Sequence, residues 1–463
     1  MDTTGSDASE TTSLVRRNGA QPFVLIDGFN LSLDKGTGVA TYARNLSFSL
    51  RDLGCKVGVL YGAPFSAGRS ELLREVLFFD TPAQISRRQQ LWRLLRASLR
   101  ANRNKAFEVR VSGAVVSDAF NSQLPHYDSV WNARDLYAKA SQQFQIMGAI
   151  NQVAMHPAPD LCHWTYPLPL QLRGVPNIYT LHDLVPLRLP HTTLDHKDRY
   201  LRLMKWICRT AAHIVTVSEN SKRDIVELLE VDPDKVTNTY QAVTIPEKYR
   251  SVPQDLVERE IENTFGLIHK EYLLFFGSIE PKKNIGRMIE AFLASGVQTP
   301  LVIVGAQAWK SEQELRMLGA DSIRGQQLGV GTRIIKLEYA PYSVLVNLIR
   351  GAKAVLFPSL YEGFGLPVLE SMLLGTPVLT SNTSSVPEVA GDAALLVNPY
   401  DPREIAEGVR ALDGDAVLRT ELVARGTQRA MLFSEAAYQK RLAAVYERVL
   451  PQHVDRALTG SRA

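Results

Sequence analysis

A short apolar run followed by a glycine-rich segment constrains the fold of this chain more strongly than any other feature. The apolar residues 354–357 predict a buried strand of a parallel sheet. Residues 361–370 follow, and the apolar helix that starts within them ends at Gly375-Thr376-Pro377, a glycine stop with a proline just beyond. Glycines between a strand and a helix are typical of the anion sites of open α/β sheets, because free N–H groups and the positive helix end point outward there.

Short apolar segments alternate with amphipathic ones along both halves of the chain. The apolar segments predict strands, and the segments between them predict helices. The predicted strands are residues 22–27, 56–61, 161–164, 177–181 and 213–218 in the first half and 272–277, 301–305, 333–337, 354–358, 378–380 and 395–398 in the second. This order indicates a doubly wound α/β fold.

The length of 463 residues exceeds what a single hydrophobic core usually organises, so we expect at least two domains. The predicted parts are a disordered tail at 1–20, a first domain at 21–250, a linker at 251–270, a second domain at 271–430 and a C-terminal helix at 431–455. The tail is polar and lacks the apolar core of a signal peptide.

Composition indicates an ordinary globular enzyme rather than a membrane or disulfide-stabilised protein. Charged residues make up 22% and hydrophobic residues 45% of the chain, and the net charge of +4 is mild. The three cysteines show no Cys-x-x-Cys spacing, which fits a reducing compartment. No apolar run reaches the ~18 residues that span a bilayer. We therefore expect a cytoplasmic protein with no nucleic-acid partner.

A basic stretch at residues 86–105 leaves one question of location open. It carries arginines and a lysine but no acid, and leucines recur in it at helical spacing. Such a helix lies on an anionic membrane in some proteins, at the inner face for a cytoplasmic enzyme. The ordinary alternative is a surface helix with its apolar face on the core, and the sequence does not decide between them.

Two carboxylates distinguish the glycine-rich segment. Glu362 lies in the predicted loop and Glu370 about two turns further on, in the first part of an apolar helix. Taken singly, the first is explained as a solvated loop residue and the second as a first-turn charge that the helix dipole favours. Beside glycines that let a ligand approach the backbone, the two together indicate a site for hydroxyl and phosphate groups. A sugar nucleotide carries both.

The motif at residues 361–370 resembles the E-x7-E signature of retaining glycosyltransferases of the GT-B fold, of the family 4 kind that contains many bacterial mannosyl- and rhamnosyltransferases. Residues 276–284 resemble the phosphate-binding lysine loop of that family, and residues 382–394 resemble the segment after the E-x7-E helix. The resemblance covers roughly residues 20–450. One position departs from it: many relatives carry arginine where this chain has Ser278, and a subgroup with Gly-x-x-Glu-Pro-Arg/Lys-Lys-Asn fits better.

The resemblance implies two Rossmann-like domains that face each other across a cleft, with the final helix crossing back to the first domain. By the same resemblance Lys283 binds the donor diphosphate and is preferred over Lys282, Glu362 holds the donor sugar, and Glu370 accepts the ribose hydroxyls. Further donor-binding positions are Gly36, Gly38, Ser278, Gly363, Phe364, Gly365 and Leu366.

The resemblance implies three catalytic residues: Lys283, Glu362 and the histidine His182. His182 ends a predicted strand, where it would touch the hydroxyls of the donor sugar, with Asp183 orienting its ring. No Asp-x-Asp motif stands at a strand end in the expected place, so we expect neither a metal ion nor another cofactor. The resemblance also implies retention of anomeric configuration, and because no carboxylate nucleophile is evident we expect a front-face reaction.

The resemblance gives the donor and the acceptor less sharply than the reaction. It favours transfer of mannose from GDP-mannose, ahead of rhamnose from dTDP- or GDP-rhamnose and ahead of UDP-sugars. The implied acceptor is a glycan or a lipid-linked chain in surface polysaccharide or O-antigen synthesis. Other GT-B enzymes, such as epimerases and phosphorylases, are alternatives of the same fold. A non-catalytic nucleotide-sugar-binding protein is the alternative of a different class.

Overall fold

The computed structural model describes residues 11–16, 19–32, 38–80, 103–115, 124–308, 311–314, 333–450 and 454–459. Gly36, one of the predicted donor-binding glycines, lies outside the described residues. Most of the basic stretch at 86–105 does as well.

The described residues form strands and helices in alternation. The strands are β1 Thr11–Arg16, β2 Phe23–Asp27, β3 Lys56–Tyr61, β4 Arg103–Lys105, β5 Phe107–Val109, β6 Ser129–Asn132, β7 Asn151–Ala154, β8 Leu161–Trp164, β9 Leu170–Leu172, β10 Asn177–Thr180, β11 His213–Thr216, β12 Val236–Asn238, β13 Leu273–Phe276, β14 Leu301–Val304, β15 Ile334–Leu337, β16 Ala354–Phe357, β17 Val378–Ser381, β18 Leu395–Val397 and β19 Val454–Thr459. The helices are α1 Gly38–Asp52, α2 Glu71–Phe79, α3 Leu136–Met147, α4 Val185–Arg188, α5 Lys197–Thr210, α6 Glu219–Leu229, α7 Glu247–Arg250, α8 Gln254–Phe265, α9 Ile285–Ser295, α10 Ser311–Glu314, α11 Tyr342–Gly351, α12 Leu366–Leu373, α13 Val386–Ala390, α14 Pro402–Gly414, α15 Ala416–Ala430 and α16 Glu435–Val449.

The first sheet has the strand order β12-β11-β10-β8-β2-β3-β6-β5, and all its pairs are parallel except β5 with β6. From β2 the chain moves one way to β3 and β6, and it returns to β8 on the other side of β2 before moving away again. The order of connections therefore reverses between β2 and β8. Ligands of open α/β sheets bind in the crevice at such a reversal, outside the carboxyl ends of the strands.

The second sheet has the order β15-β14-β13-β16-β17-β18, and its neighbouring strands are all parallel. Its connections reverse between β13 and β16, which are direct neighbours. Because parallel crossovers are right-handed, α9, which leads from β13 to β14, lies on one face of this sheet. The helices α11 and α12 follow connections that run in the opposite direction, so they lie on the other face.

The last long helix, α16, packs on the first sheet although it follows the second one in sequence. Nδ1 of the buried His163 on β8 lies 2.7 Å from the hydroxyl of Tyr446 on α16, and Nε2 lies 2.8 Å from the hydroxyl of Thr180. The ring of Tyr438 meets the ring of Tyr42 at 6.4 Å. Burial lowers the pKa of His163 to about 3, so this imidazole is neutral and takes part as a structural polar group.

Three segments differ in detail from the boundaries that the sequence suggested. Within the expected disordered tail, residues 11–16 form β1 and pair antiparallel with β19, because each strand satisfies the backbone groups of the other. The expected linker at 251–270 contains α8, which packs against α11 through an amphipathic face. The stretch 431–455 holds α16 and the first residues of β19.

No helix in the part of the chain that the structure describes is long and apolar enough to cross a membrane. The three cysteines, Cys55, Cys162 and Cys208, are all buried and form no disulfide bond.

The two glycines that end β13 and β14 allow these strands to carry their loops side by side. A Cβ atom at Gly305 would lie 1.8 Å from the carbonyl oxygen of Gly277, so a side chain there forces the two backbones apart. We expect Gly305→Ala to lower the free energy of unfolding by about 3 kcal/mol. The control is Gly414→Ala at the end of α14, where a Cβ meets nothing within 4 Å. Denaturant unfolding with equal losses in both variants would contradict the prediction.

Candidate active site

A buried ion pair lies at the reversal point of the second sheet. Lys283 ends a turn of 3-10 helix that follows β13, and Glu362 lies in the loop after β16. The Lys283 Nζ atom lies 2.6 Å from Glu362 Oε1, with side-chain exposures of 11% and 8%. Burial raises the pKa of Glu362, but the charges of Lys283 and Lys282 outweigh burial and hold the pKa below its usual value. The carboxylate is thus ionised.

Hydrogen bonds to backbone carbonyl groups hold the two loops that carry this pair. Asn284 follows Lys283 with a left-handed backbone conformation (φ 61°), which turns the chain into α9. Its Nδ2 donates to the carbonyl oxygens of Pro358 (2.9 Å) and Pro399 (2.7 Å). The N–H of Leu360 donates to the carbonyl oxygen of Lys282 at 2.8 Å. The loops after β13 and β16 are therefore fixed against each other before any ligand is bound.

Lys282 also faces this site, beside the lysine that the sequence favoured. Burial disfavours the charged form of Lys282, but three carboxylates outweigh burial and raise the pKa of its ammonium group. These carboxylates belong to Glu362, Asp183 and Glu280, the last with an oxygen 3.8 Å from Lys282 Nζ. The site therefore holds two lysines around one glutamate.

The glycine-rich loop lies against the first domain. A Cβ atom at Gly363 would lie 2.7 Å from the carbonyl oxygen of His182, so only glycine permits this approach. The Ser385 hydroxyl lies 2.8 Å from the Glu362 carbonyl oxygen and 3.0 Å from the Phe364 carbonyl oxygen. The N–H of Glu362 donates to the hydroxyl of Ser384 at 3.1 Å. The loop is thus held on both sides.

The starts of two helices meet at this loop. Gly38 begins α1 in the first domain, and Gly365 (φ 109°) is the residue before α12 in the second. A Cβ atom at Gly38 would lie 3.3 Å from Leu366 Cδ1, so the two helix starts are in van der Waals contact. The positive ends of both helices are therefore close to each other, and a helix start of this kind favours an anionic group such as a phosphate.

His182 is neutral and firmly oriented. Its Nε2 lies 3.0 Å from the carbonyl oxygen of Thr165, and its ring meets that of Tyr42 edge-on at 4.8 Å. Burial lowers its pKa, although the bond to Thr165 and the charge of Asp183 oppose that shift. A neutral ring that donates through Nε2 keeps Nδ1 as an acceptor. The orienting group is thus Thr165 rather than the expected Asp183, whose carboxylate accepts from the N–H of Val185 at 3.1 Å.

The other proposed site residues occupy distinct positions. Glu370 lies on α12, where burial raises the pKa of its carboxyl group to about 7. The Phe364 ring is buried against Phe433 at 5.5 Å, so its backbone rather than its ring faces the loop region. The hydroxyl of Ser278 donates to Glu280 Oε1 at 3.1 Å. In the described ranges no three His, Cys, Asp or Glu side chains form a group that could hold a metal ion, and the expectation of no metal stays a prediction.

The geometry can be compared with known families of proteins. Residues 258–429 match the family described as "Glycosyl transferases group 1", and residues 36–244 match the one described as "Glycosyltransferase Family 4". The chain belongs to the group 1, family 4 glycosyltransferases. The group 1 region contains the whole second sheet and the Lys283–Glu362 pair, and the family 4 region contains every strand of the first sheet except β2.

Two mannosyltransferases are among the similar proteins. The O-antigen chain mannosyltransferase B of Escherichia coli is 31% identical over 265 residues, which cover 56% of this chain and 66% of that protein. The serotype-specific mannosyltransferase WbdA of the same species is 28% identical over 280 residues, which cover 59% of this chain and 34% of that protein. The matched part of this chain thus spans 66% and 34% of the lengths of these relatives.

A solved structure shows the fold. HepE of Anabaena, in complex with UDP and glucose, matches with a TM-score of 0.59 at 16% identity, over 93% of this chain and 100% of that one. The predicted GT-B architecture, with two Rossmann-like domains across a cleft, is confirmed.

Several contacts at this glycosyltransferase site were not predicted from the sequence. Both carboxylate oxygens of Glu388, on α13 of the second domain, accept from the N–H groups of Glu219 (2.7 Å) and Asn220 (3.2 Å) at the start of α6 in the first. The hydroxyl of Tyr361 donates to the carboxylate of Asp224 on the same helix. Glu388 lies in the segment 382–394 that resembled the family, but nothing in its spacing indicated a partner in the other domain.

The burial of Glu370 can be tested through the pH dependence of the free energy of unfolding. Between its usual pKa of 4.5 and about 7, the folded protein holds a proton that the unfolded chain has released, so stability falls as pH rises through this range. We expect Glu370→Gln to raise the free energy of unfolding by about 2–3 kcal/mol at about pH 8 and to change it little near pH 4.5.

Thermal and denaturant unfolding across this pH range measure the effect. The exposed Glu407 on α14 supplies the matched control, Glu407→Gln, for which we expect no such pH dependence. A difference between Glu370→Gln and the original protein that stays constant with pH would contradict the burial of an ionisable Glu370.

Proposed function

We propose that this glycosyltransferase is a retaining hexosyltransferase that moves a hexose from a nucleotide sugar to a glycan or lipid-linked acceptor, with mannose from GDP-mannose as the favoured donor. One observation carries the proposal: the buried Lys283–Glu362 pair lies at the reversal point of the second sheet, beside a loop on which two helix starts converge. Such a place combines a cation, N–H donors and a carboxylate, which are the groups that a sugar nucleotide needs.

The pairing of Lys283 with Glu362 also suggests how the donor is received. The diphosphate takes over Lys283 as its partner, and the N–H groups at the starts of α1 and α12 add hydrogen bonds to its oxygens. Glu362, released from the lysine, then accepts from hydroxyls of the donor sugar. Lys282 stays close enough to keep this carboxylate ionised. Each charge-assisted hydrogen bond contributes about 1.5–3 kcal/mol.

The reaction that fits these groups is a front-face substitution. The bond between the anomeric carbon and the phosphate oxygen breaks while the acceptor oxygen forms its bond on the same face. The proton of the acceptor hydroxyl passes to the departing phosphate oxygen, whose growing charge Lys283 and the helix starts stabilise. The neutral His182, held by Thr165, donates no proton in this scheme and accepts from a sugar hydroxyl through Nδ1. The anomeric configuration is retained.

The reversal point of the first sheet supports an acceptor site in the first domain. Phe29 follows β2 and Tyr166 follows β8, and their rings stack at 5.8 Å across the crevice between these strands. The stacked rings offer the apolar C–H faces of a sugar a flat surface to pack on. Burial raises the pKa of the Tyr166 hydroxyl, and the nearby carboxylates of Asp195 and Asp183 raise it further. The enzyme would act in the cytoplasm, reaching a lipid-linked acceptor from the inner face of the membrane.

The mannosyltransferase relatives support mannose as the transferred sugar. HepE, whose structure holds UDP and glucose, supports UDP-sugars as the second candidate. The donor base is therefore the first property to measure.

Thermal unfolding with a panel of GDP-, UDP- and dTDP-sugars measures it. A donor at a hundredfold excess over its Kd stabilises the folded protein by about 2.7 kcal/mol, and we expect GDP-mannose to give this protection. Lys283→Ala should abolish it. The loss of Lys283 alone also removes the closest charged partner of the buried Glu362, and breaking a buried ion pair in this way costs about 3–5 kcal/mol of stability. The double variant Lys283→Ala/Glu362→Gln removes that charge, so it should fold well and still lack protection.

Lys440→Ala, at an exposed position of α16, is the control that keeps full protection. Protection by UDP-sugars alone would replace GDP-mannose with the second candidate. If a nucleotide sugar protects the protein against thermal unfolding but no glycan acceptor causes release of nucleoside diphosphate, the chain is a binding protein rather than an enzyme. No protection by any nucleotide sugar would contradict the proposed function.

A further inference from the structure

A cavity lies between the two domains, lined by residues other than those assigned to the donor. Its volume is about 680 Å³, within the range of sites that enclose small ligands. His191 and Thr192 of the first domain form one wall. Pro281 and Leu360 from the loops after β13 and β16 form another, and Glu290 of α9 and Glu312 of α10 line the rest.

This cavity adjoins the reaction centre through the same two loops. Pro281 directly precedes Lys282 and Lys283, and Leu360 lies two residues before Glu362. The N–H of Leu360 donates to the carbonyl oxygen of Lys282, so the two wall-forming loops are bonded to each other at this point. The loops that carry Lys283 and Glu362 therefore also supply part of the cavity wall.

The nucleotide of the donor belongs elsewhere. Glu370, the carboxylate proposed to bind the ribose, lies on α12. Burial raises the pKa of the Tyr342 hydroxyl on α11, and the charge of Glu370 raises it further, so the two side chains are close to each other. Both helices lie on one face of the second sheet, whereas α9, which lines the cavity, lies on the other. The cavity is therefore available to a part of the substrates other than the donor nucleotide.

The charges of the lining select among such ligands. Three carboxylates line the cavity, those of Glu290, Glu312 and Glu314, against one guanidinium, that of Arg287. The Glu314 carboxylate is already engaged, since its Oε2 accepts from the N–H of Gly286 at 2.8 Å. Arg287 is bound within the fold, since its Nη1 donates to Asn284 Oδ1 at 2.6 Å and its guanidinium lies over the Tyr400 ring at 5.7 Å. Excess negative charge disfavours phosphate groups, whereas carboxylates accept hydrogen bonds readily from hydroxyls. The lining therefore suits a neutral polyhydroxylated ligand.

We propose that this cavity binds neutral sugar units of the acceptor glycan that lie beyond the unit receiving the hexose. The inference rests on the proposed function, because it identifies the ligand as the acceptor of that reaction. It assigns length recognition of the acceptor to α9 and to the turn that contains His191, outside the site of bond formation. The lipid phosphate of a lipid-linked acceptor then lies away from this cavity.

A blocking substitution tests the assignment without touching the reaction centre. Glu290 is exposed in the middle of α9, so Glu290→Trp fills the cavity without disturbing the core. Glu407→Trp, at an equally exposed position in α14, is the matched control. Binding of α-linked manno-oligosaccharides of one to four units, measured by calorimetry, gives a readout that needs no catalysis.

The proposal expects affinity that rises with the number of units, a loss of about tenfold or more for the tetrasaccharide in Glu290→Trp, and no loss in Glu407→Trp. With GDP-mannose, the same variant should raise KM for the tetrasaccharide while KM for the monosaccharide and kcat stay unchanged. Equal binding by Glu290→Trp and the original protein, or no binding of any oligosaccharide, overturns it. Binding that Glu290→Trp abolishes, with no transfer from any nucleotide sugar, supports the cavity and contradicts the proposed function instead.

Discussion

The Lys283–Glu362 ion pair is the interaction on which the arrangement of the site depends. Moving two charges from water into a protein interior costs several kcal/mol per ion, and their attraction repays this cost only with good geometry. Here the geometry comes from adjacent parallel strands, β13 and β16, which place the two loops side by side. A hydrophobic pair would serve packing equally well. In the function that we propose, the diphosphate of the donor takes over Lys283, which gives a buried ion pair at this place a role that a hydrophobic pair lacks.

The two domains meet through polar contacts around the same loop. Gly363 touches the carbonyl oxygen of His182, and the hydroxyl of Ser221 donates to that oxygen at 2.9 Å and lies 3.3 Å from the Gly363 carbonyl oxygen. The carboxylate of Glu388 caps α6 from the other domain. Contacts of this kind exchange readily with water, unlike the apolar core of each domain. Apolar contacts add to them, since the ring of Tyr240 in the first domain lies 6.4 Å from that of Phe364 in the second.

Much of this architecture could be predicted from the sequence, and the reason is that its signals are local. The apolar strands, the glycine stop at Gly375 and the spacing of Glu362 and Glu370 each depend on a few consecutive residues. The partners of these residues could not be predicted in the same way. That Thr165 holds His182 and that Ser385 holds the glycine-rich loop depends on strand order, because 17 and 21 residues separate the bonded groups. The preference for Lys283 over Lys282 likewise missed that both lysines surround Glu362.

The position of α16 affects how the chain folds during its synthesis on the ribosome. The buried His163 in the middle of the first sheet bonds to Tyr446, 283 residues further along the chain. While that tyrosine is still being translated, the imidazole and the apolar surface around Tyr42 lack their final cover. Domains usually fold in order of synthesis, N-terminal first. In this chain the first domain instead reaches its finished core only after the second has emerged, so completion of both domains coincides.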